Sequence, residues 1–152
     1  MSYTEDSKQL RENIRILERK LGVLQDTEYS CCEISMAQCH ALVEIGRAES
    51  ISLNELAELL NLENSTMSRT VNNLVNSGLV ERELDPKDRR YVSIKLTESG
   101  IKVFEGIEKN MDLYFQKVLE SIPSNKQKQV IESLQILLEA VSKNEQYKTQ
   151  KE

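Results

Sequence analysis

Apolar residues recur at helical spacing over most of the chain. Within residues 10–30 they step by four and three positions, which predicts a helix with one apolar stripe packed against another helix. The same spacing returns within residues 98–145, where Thr97 is the predicted N-cap and Pro123 separates two helices. The sequence Ser124-Asn-Lys-Gln predicts a capping box at the start of the second of these. The chain is therefore predicted to be mostly α.

Three shorter helices are predicted in the middle of the chain. Ser35 and Gln38 have capping-box spacing at the start of the first, and Ser52 and Glu55 repeat it at the start of the second. After a turn of about four residues, the third covers residues 65–76. Two short helices across a tight turn form a helix-turn-helix. Their predicted inward positions are Met36, Cys39, Leu42, Val43, Leu53, Leu56, Ala57, Leu60, Met67, Val71, Leu74 and Val75.

A β-hairpin is predicted directly after the third helix, which ends at Gly78. Residues 79–84 and 91–96 have the composition of strands, and apolar and polar residues alternate along the second. The turn sequence Asp-Pro-Lys-Asp connects them. A hairpin beside a helix-turn-helix is a wing, so residues 35–97 predict a winged helix-turn-helix lobe.

The third helix of this lobe has an outer face of short hydrogen-bonding side chains. Ser, Thr and Asn are unfavourable inside helices, so this run lowers the intrinsic stability of the helix. In the DNA major groove they have a use, because Asn pairs with adenine, Arg with guanine, and Ser or Thr with phosphates or bases. The alternative is a polar face that only meets solvent. The face consists of Ser65, Thr66, Ser68, Arg69, Thr70, Asn72, Asn73 and Asn76, all but Thr70 and Asn76 being predicted DNA contacts.

The charged tip of the hairpin is a second predicted DNA contact, made by Asp88, Arg89 and Arg90. The negative potential of the minor groove attracts an inserted guanidinium. Asp88 lies two residues before Arg90 and can hold that side chain extended through a charge-assisted pair. The alternative is an ordinary charged turn.

Composition and charge support nucleic-acid binding only locally. The 152 residues are 39% hydrophobic, which is the size of a single domain with a real core. A net charge of -5 argues weakly against nucleic acid, but residues 61–96 hold six basic and five acidic side chains and are the only net-positive third. Without a signal-peptide core or a long apolar run, the chain is expected in the cytoplasm and away from the membrane.

Cys31, Cys32 and Cys39 form a candidate thiol sensor. The first two precede a predicted helix, and a helix N-terminus lowers the pKa of a thiol and makes it reactive towards oxidants and thiophilic metals. The alternative is packing, above all for Cys39, which shares helical spacing with Leu42. No metal site, cofactor or catalytic constellation is found, because phosphate loops, His/Glu metal spacings and nucleophile–base pairs are missing, so an enzyme is not expected.

These motifs together resemble the multiple antibiotic resistance regulator (MarR) family of bacterial transcription factors. The resemblance extends from about Leu10 to Val141. It implies a homodimer of winged-helix lobes in which the first helix and the last two form the dimer interface. The residues that carry it are Leu56-Ala-Glu-Leu-Leu60, Ser65 to Leu74, Ser77-Gly-Leu-Val-Glu-Arg82, Asp85-Pro-Lys-Asp-Arg-Arg90 and Leu96-Thr-Glu-Ser-Gly100.

Function follows from the resemblance as an expectation. It implies a repressor that binds a pseudo-palindromic double-stranded DNA operator and is released by a small-molecule or thiol-reactive inducer. By position, Arg90 would enter the minor groove with support from Asp88, and the helix from Ser65 would read the major groove. The terminal helices also expose more apolar surface than a small lobe can cover, which independently favours a dimer. The alternative is a winged helix that binds a protein and no DNA.

Overall fold

The computed structural model describes residues 2–29, 34–84, 88 and 91–145. Within them the chain is mostly helical with a small antiparallel sheet, which confirms the predicted fold class. The helices are α1 (Glu5–Tyr29), α2 (Met36–Ala48), α3 (Leu53–Leu59), α4 (Asn64–Asn76), α5 (Glu98–Glu120) and α6 (Gln127–Lys143), and the strands are β1 (Ile51–Ser52), β2 (Val80–Leu84) and β3 (Val92–Leu96).

Side-chain caps begin three of these helices, as the sequence predicts. At α2 the Gln38 N–H donates to Ser35 Oγ at 3.2 Å, and Gln38 Oε1 accepts from the Ser35 N–H at 2.9 Å. At α3 the hydroxyl of Ser52 accepts from the Glu55 N–H at 3.1 Å, but the Glu55 side chain does not return a bond to the Ser52 N–H, so the predicted capping box forms only in half. Thr97 Oγ1 accepts from the Gly100 N–H at 3.1 Å at the start of α5. Each cap satisfies a first-turn N–H that has no partner inside the helix.

The predicted capping box at Ser124 is wrong, because α6 begins three residues later, at Gln127. Instead of reaching back to residue 124, the Gln127 side chain donates through Nε2 to the carbonyls of Leu119 at 3.0 Å and Ile122 at 3.1 Å. Carbonyls at the end of a helix lack intrahelical donors, so the end of α5 offers strong acceptors. Gln127 satisfies those acceptors, and residues 124–126 form a turn.

The sheet has the strand order β1-β3-β2 and is antiparallel throughout. In the wing, Val80 pairs with Leu96 and Leu84 with Val92. The third strand, β1, was not predicted: it pairs only Ile51 with Ile94 and Ser52 with Ser93. Two residues are too few for an alternating pattern, so this strand is defined by its partner and not by its own sequence.

The chain forms two compact units, Met1–Asn110 and Met111–Glu152. The first unit contains the core, which α2, α3, α4, the sheet and the start of α5 build together. Met36 was predicted to face inward but is exposed, because it is the first residue of α2. The largest fully buried side chains are Leu42, Ile45, Leu56, Met67, Leu74, Ile94, Val71, Val80 and Cys39.

The second unit contains the end of α5 and all of α6, and no residue of α6 is buried. Ile131, Leu134, Leu138 and Val141 recur at helical spacing and are 45–65% exposed. In the first unit, Leu10 and Leu17 of α1 are likewise 49% and 43% exposed. None of the helices in the described part of the chain has the length and apolar character needed to span a bilayer.

Candidate nucleic-acid interface

Helix α4 has one buried face and one exposed polar face. Met67, Val71 and Leu74 are fully buried in the core of the lobe. The opposite side is open to solvent, so its side chains are available to a ligand. We call this exposed polar surface of α4 the reading face. It contains the predicted contacts Ser65, Thr66, Arg69, Asn72 and Asn73, and Asn76 continues it beyond them.

Two residues assigned to the outer face by sequence lie elsewhere. Thr70 is only 7% exposed, and its Oγ1 donates to the carbonyl of Thr66 at 3.1 Å. This bond to the preceding turn allows a hydroxyl to sit among apolar neighbours, since its donor is satisfied. Ser68 is half-buried rather than outward-facing. The reading face is thus narrower than predicted.

Asn72 is held by a residue that sequence reasoning missed. Arg82 of strand β2 donates from Nη2 to the Asn72 side-chain oxygen Oδ1. Along the strand, Arg82 shares the face of Val80, which is 2% exposed and packs in the core. The alternation of side chains along β2 could have predicted this contact, because it places Arg82 on the same side of the strand as Val80, towards α4.

The opposite face of the wing carries a cluster of three charges. Lys95 Nζ lies 3.2 Å from Glu83 Oε2 and 3.5 Å from Glu81 Oε1. Hydrogen bonding to Glu83, with further attraction to both carboxylates, raises the pKa of Lys95 above its ordinary value. With Glu81 and Glu83 set against Arg82 and Lys95, strands β2 and β3 carry no net positive charge.

Any net positive charge on the wing must therefore come from the residues at its tip. Asp88 is half-buried, and its backbone carbonyl accepts from the Tyr91 N–H at 3.0 Å. Arg89 and Arg90 lie outside the described residues. The pairing of Asp88 with Arg90 stays a prediction.

Comparison with known proteins identifies this arrangement. The family model described as "MarR family" matches residues 34–92, which contain α2, α3, α4 and the wing as far as the first residue of β3. The regulator BilQ of Clostridium symbiosum is 31% identical over 104 residues, which cover 68% of this chain and 72% of that protein. The chain belongs to the MarR family.

Two further similarities extend beyond the matched lobe. The multiple antibiotic resistance protein MarR of Escherichia coli is 29% identical over 128 residues, covering 84% of this chain and 87% of that protein. The crystal structure of FabT from Streptococcus pneumoniae in complex with DNA superimposes with a TM-score of 0.84 at 18% identity, covering 90% of this chain and 98% of that one. The structural likeness confirms the MarR-type fold along nearly the whole chain.

In this MarR-family chain, Thr97 joins the end of α4 to the start of α5. Its Oγ1 donates to the Gly78 carbonyl at 2.6 Å and accepts from the Gly100 N–H at 3.1 Å. Its own N–H donates to the Leu79 carbonyl at 3.0 Å. Gly78 has a φ of 75°, the left-handed conformation that ends α4, which confirms its predicted role. We refer to these contacts as the Thr97 joint.

The candidate thiol sensor divides into two parts. Cys39 is fully buried in the core, packed on the inner face of α2 with Leu42 and Ile45. Burial withdraws its sulfur from solvent, which favours the packing alternative for this residue. Cys31 and Cys32 lie outside the described residues.

Proposed function

We propose that this chain is a sequence-specific regulator that represses transcription by binding double-stranded DNA through α4 and the wing. The observation that carries the proposal is the exposed reading face of α4, where short polar side chains and Arg69 lie opposite a fully buried apolar face. Such side chains suit base edges and phosphates. FabT, whose fold is similar, was solved bound to DNA.

The proposed DNA-binding form is a homodimer on a pseudo-palindromic operator. Two copies of α4 would enter major grooves about one helical turn apart, on one side of the duplex. The uncovered apolar positions on α1 and α6 supply surface that a second copy would bury. Such a regulator acts on genomic DNA, so we place it in the cytoplasm.

The wing tip is proposed to add minor-groove contacts through Arg89 and Arg90, with Asp88 supporting Arg90. Since the described strands of the wing carry no net positive charge, these tip residues would supply most of its attraction for the duplex. Overall acidity does not oppose this, because only the contacting surface needs to be locally basic.

The test is fluorescence anisotropy with DNA from the region upstream of the gene, titrated with salt. Arg69→Ala should weaken binding by about 5- to 150-fold, the equivalent of about 1–3 kcal/mol for an arginine contact to a base. Arg90→Ala should also weaken binding sharply. Both variants should keep the thermal stability of the unaltered protein, because Arg69 is exposed and Arg90 is expected at the wing tip.

Lys102→Ala is the matched control. It removes one exposed positive charge from α5, which is neither part of α4 nor of the wing, and should leave affinity and its salt dependence unchanged. A protein that binds no upstream DNA, or that loses equal affinity in all three variants, would contradict the proposal and favour the protein-binding alternative.

We also propose that a small-molecule or thiol-reactive signal releases the DNA, with Cys31 and Cys32 rather than buried Cys39 carrying any thiol response. A Cys31→Ser, Cys32→Ser double variant should bind DNA normally and fail to release it with diamide or arsenite. Anisotropy before and after each reagent measures this. Normal release from the double variant would remove these two cysteines from the mechanism.

A further inference from the structure

The contact between Arg82 and Asn72 links the wing to the reading face. Arg82 belongs to β2 and Asn72 to the exposed side of α4, ten residues earlier in the chain. Both side chains are exposed, so DNA could meet them without rearrangement of the core. Arg82 is therefore placed to influence what Asn72 presents to a base.

The chemistry of arginine determines the orientation of the Asn72 amide. A guanidinium has five N–H donors and no acceptor, so the Asn72 atom that faces it must be the oxygen Oδ1. Its amide nitrogen Nδ2 has no hydrogen-bond partner among the described residues. Asn72 consequently offers two N–H donors outward while its oxygen is engaged.

This orientation changes the base that Asn72 is suited to read. Adenine is recognised by an Asn that accepts from N6–H₂ and donates to N7, which requires the amide oxygen to face the base and not Arg82. Guanine presents two acceptors, N7 and O6, to the major groove and has no major-groove donor there. Two outward donors match guanine, whereas on adenine one of them would oppose the N6 amino group.

We propose that Arg82 is a positioning residue that holds the Asn72 amide with its donors outward and so makes Asn72 select guanine instead of adenine. The inference rests on the proposed DNA-binding function and deepens it. Asparagine in general is expected to pair with adenine, whereas Asn72 of this chain is expected to pair with guanine.

The test is selection from a DNA library with randomised half-sites, followed by sequencing, for the unaltered protein and four variants. Asn72→Ala identifies the base position that Asn72 reads, because preference should disappear at that position alone. There the unaltered protein should prefer guanine. Arg82→Ala should shift the guanine-to-adenine ratio towards adenine by about three- to tenfold, the value of one hydrogen bond, with other positions unchanged.

Two variants serve as controls. Arg82→Lys keeps a donor-only cation and should keep part of the guanine preference, a rescue that loss of wing structure would not give. Lys95→Ala removes a positive charge from the opposite face of the same wing and should leave the preference unchanged. Adenine preference in the unaltered protein, or an Arg82→Ala profile that is weaker but identical in preference, would overturn the inference while leaving the proposed function intact.

A measurement without DNA separates the contact from the function. In ¹⁵N-labelled protein, the Asn72 side-chain N–H₂ resonances are assigned by their disappearance in Asn72→Ala. Arg82→Ala should shift them and Lys95→Ala should not. Unmoved resonances in Arg82→Ala would refute the inference irrespective of DNA binding. If the resonances move but the library yields no enriched DNA, the proposed function fails and the assignment of base preference fails with it.

Discussion

At the scale of single residues, two glycines of α5 have opposite surroundings. A Cβ atom on Gly100 would lie 1.9 Å from the Leu79 carbonyl oxygen and 3.3 Å from Leu96 Cβ. A Cβ atom on Gly106 would meet nothing within 4 Å. Gly100 is therefore required by close backbone approach at the Thr97 joint, whereas Gly106 only makes the helix less stable.

We expect Gly100→Ala to lower the free energy of unfolding by about 1–3 kcal/mol, because the Leu79 backbone must move to admit a methyl group. Gly106→Ala should instead raise it by about 0.5–1 kcal/mol through helix propensity. Urea denaturation of both variants beside the unaltered protein measures the difference. Equal effects of the two substitutions would show that the close approach to Leu79 does not limit this position.

Side-chain identity alone misplaced one residue that periodicity could have corrected. Thr70 lies three residues after Met67 and four before Leu74, so it shares their buried stripe. Because Thr70 is polar, it was predicted on the exposed face of α4. Its hydroxyl can be buried because it donates a hydrogen bond to the Thr66 carbonyl. Asn72 lies on the exposed face of α4, as predicted. The orientation of its side-chain amide depends on Arg82 of β2, and no sequence pattern within α4 contains that information.

At the scale of elements, the Thr97 joint connects the helix-turn-helix to α5. One hydroxyl both caps α5 and donates to the residue that ends α4. The backbone N–H of the same residue bonds to Leu79, at the start of the wing. Three elements thus depend on a single side chain and its peptide group.

We expect Thr97→Ala to lower the free energy of unfolding by about 1 kcal/mol or more, since it removes an N-cap and leaves the Gly78 carbonyl without this donor. Thr97→Ser keeps the hydroxyl and should retain most of the stability. Thermal unfolding compares the variants, and native-state hydrogen exchange should show faster exchange of the Gly100 amide in Thr97→Ala alone. Unchanged exchange in that variant would mean that the hydroxyl bond does not protect the first turn of α5.

Local sequence predicted features that depend on nearby residues and missed those that depend on distant ones. Capping at Ser35, Ser52 and Thr97 was predicted because a cap needs only neighbours within three residues. Strand β1 exists only through β3, and the start of α6 depends on carbonyls at the end of α5. Both failures involve partners distant in sequence, which periodicity does not record.

At the scale of the whole molecule, apolar side chains remain on the surface of helices predicted to form a dimer interface. Leu134, Leu138 and Val141 of α6 are 45%, 65% and 50% exposed, on one side of the helix. Single exposed apolar residues are common, but a repeated stripe on a helix favours a partner. Sequence could predict this stripe, whereas the identity of what covers it is a property of the assembly.

We expect Leu138→Glu to weaken self-association by about tenfold or more, because a carboxylate would be buried without a partner in the proposed interface. Unfolding of the dilute protein should change little, since Leu138 is mostly exposed in the single chain. Ser133→Glu adds the same charge to another side of α6 and is the control. Sedimentation velocity over a concentration series measures both. Equal dissociation of the two variants, or none in Leu138→Glu, would place the interface elsewhere.

The Thr97 joint attaches α4 to α5 without using the exposed side chains of α4 that are proposed to contact DNA. Its contacts join the carbonyls of Gly78 and Leu79, just after α4, to Thr97 and the Gly100 N–H at the start of α5. None of them involves a side chain of the reading face. If the proposed base contacts are correct, substitutions at Ser65, Arg69 or Asn73 should change the preferred DNA without altering the attachment of α4 to α5. Such a scaffold is modular, and a new operator specificity can arise in it through surface substitutions alone.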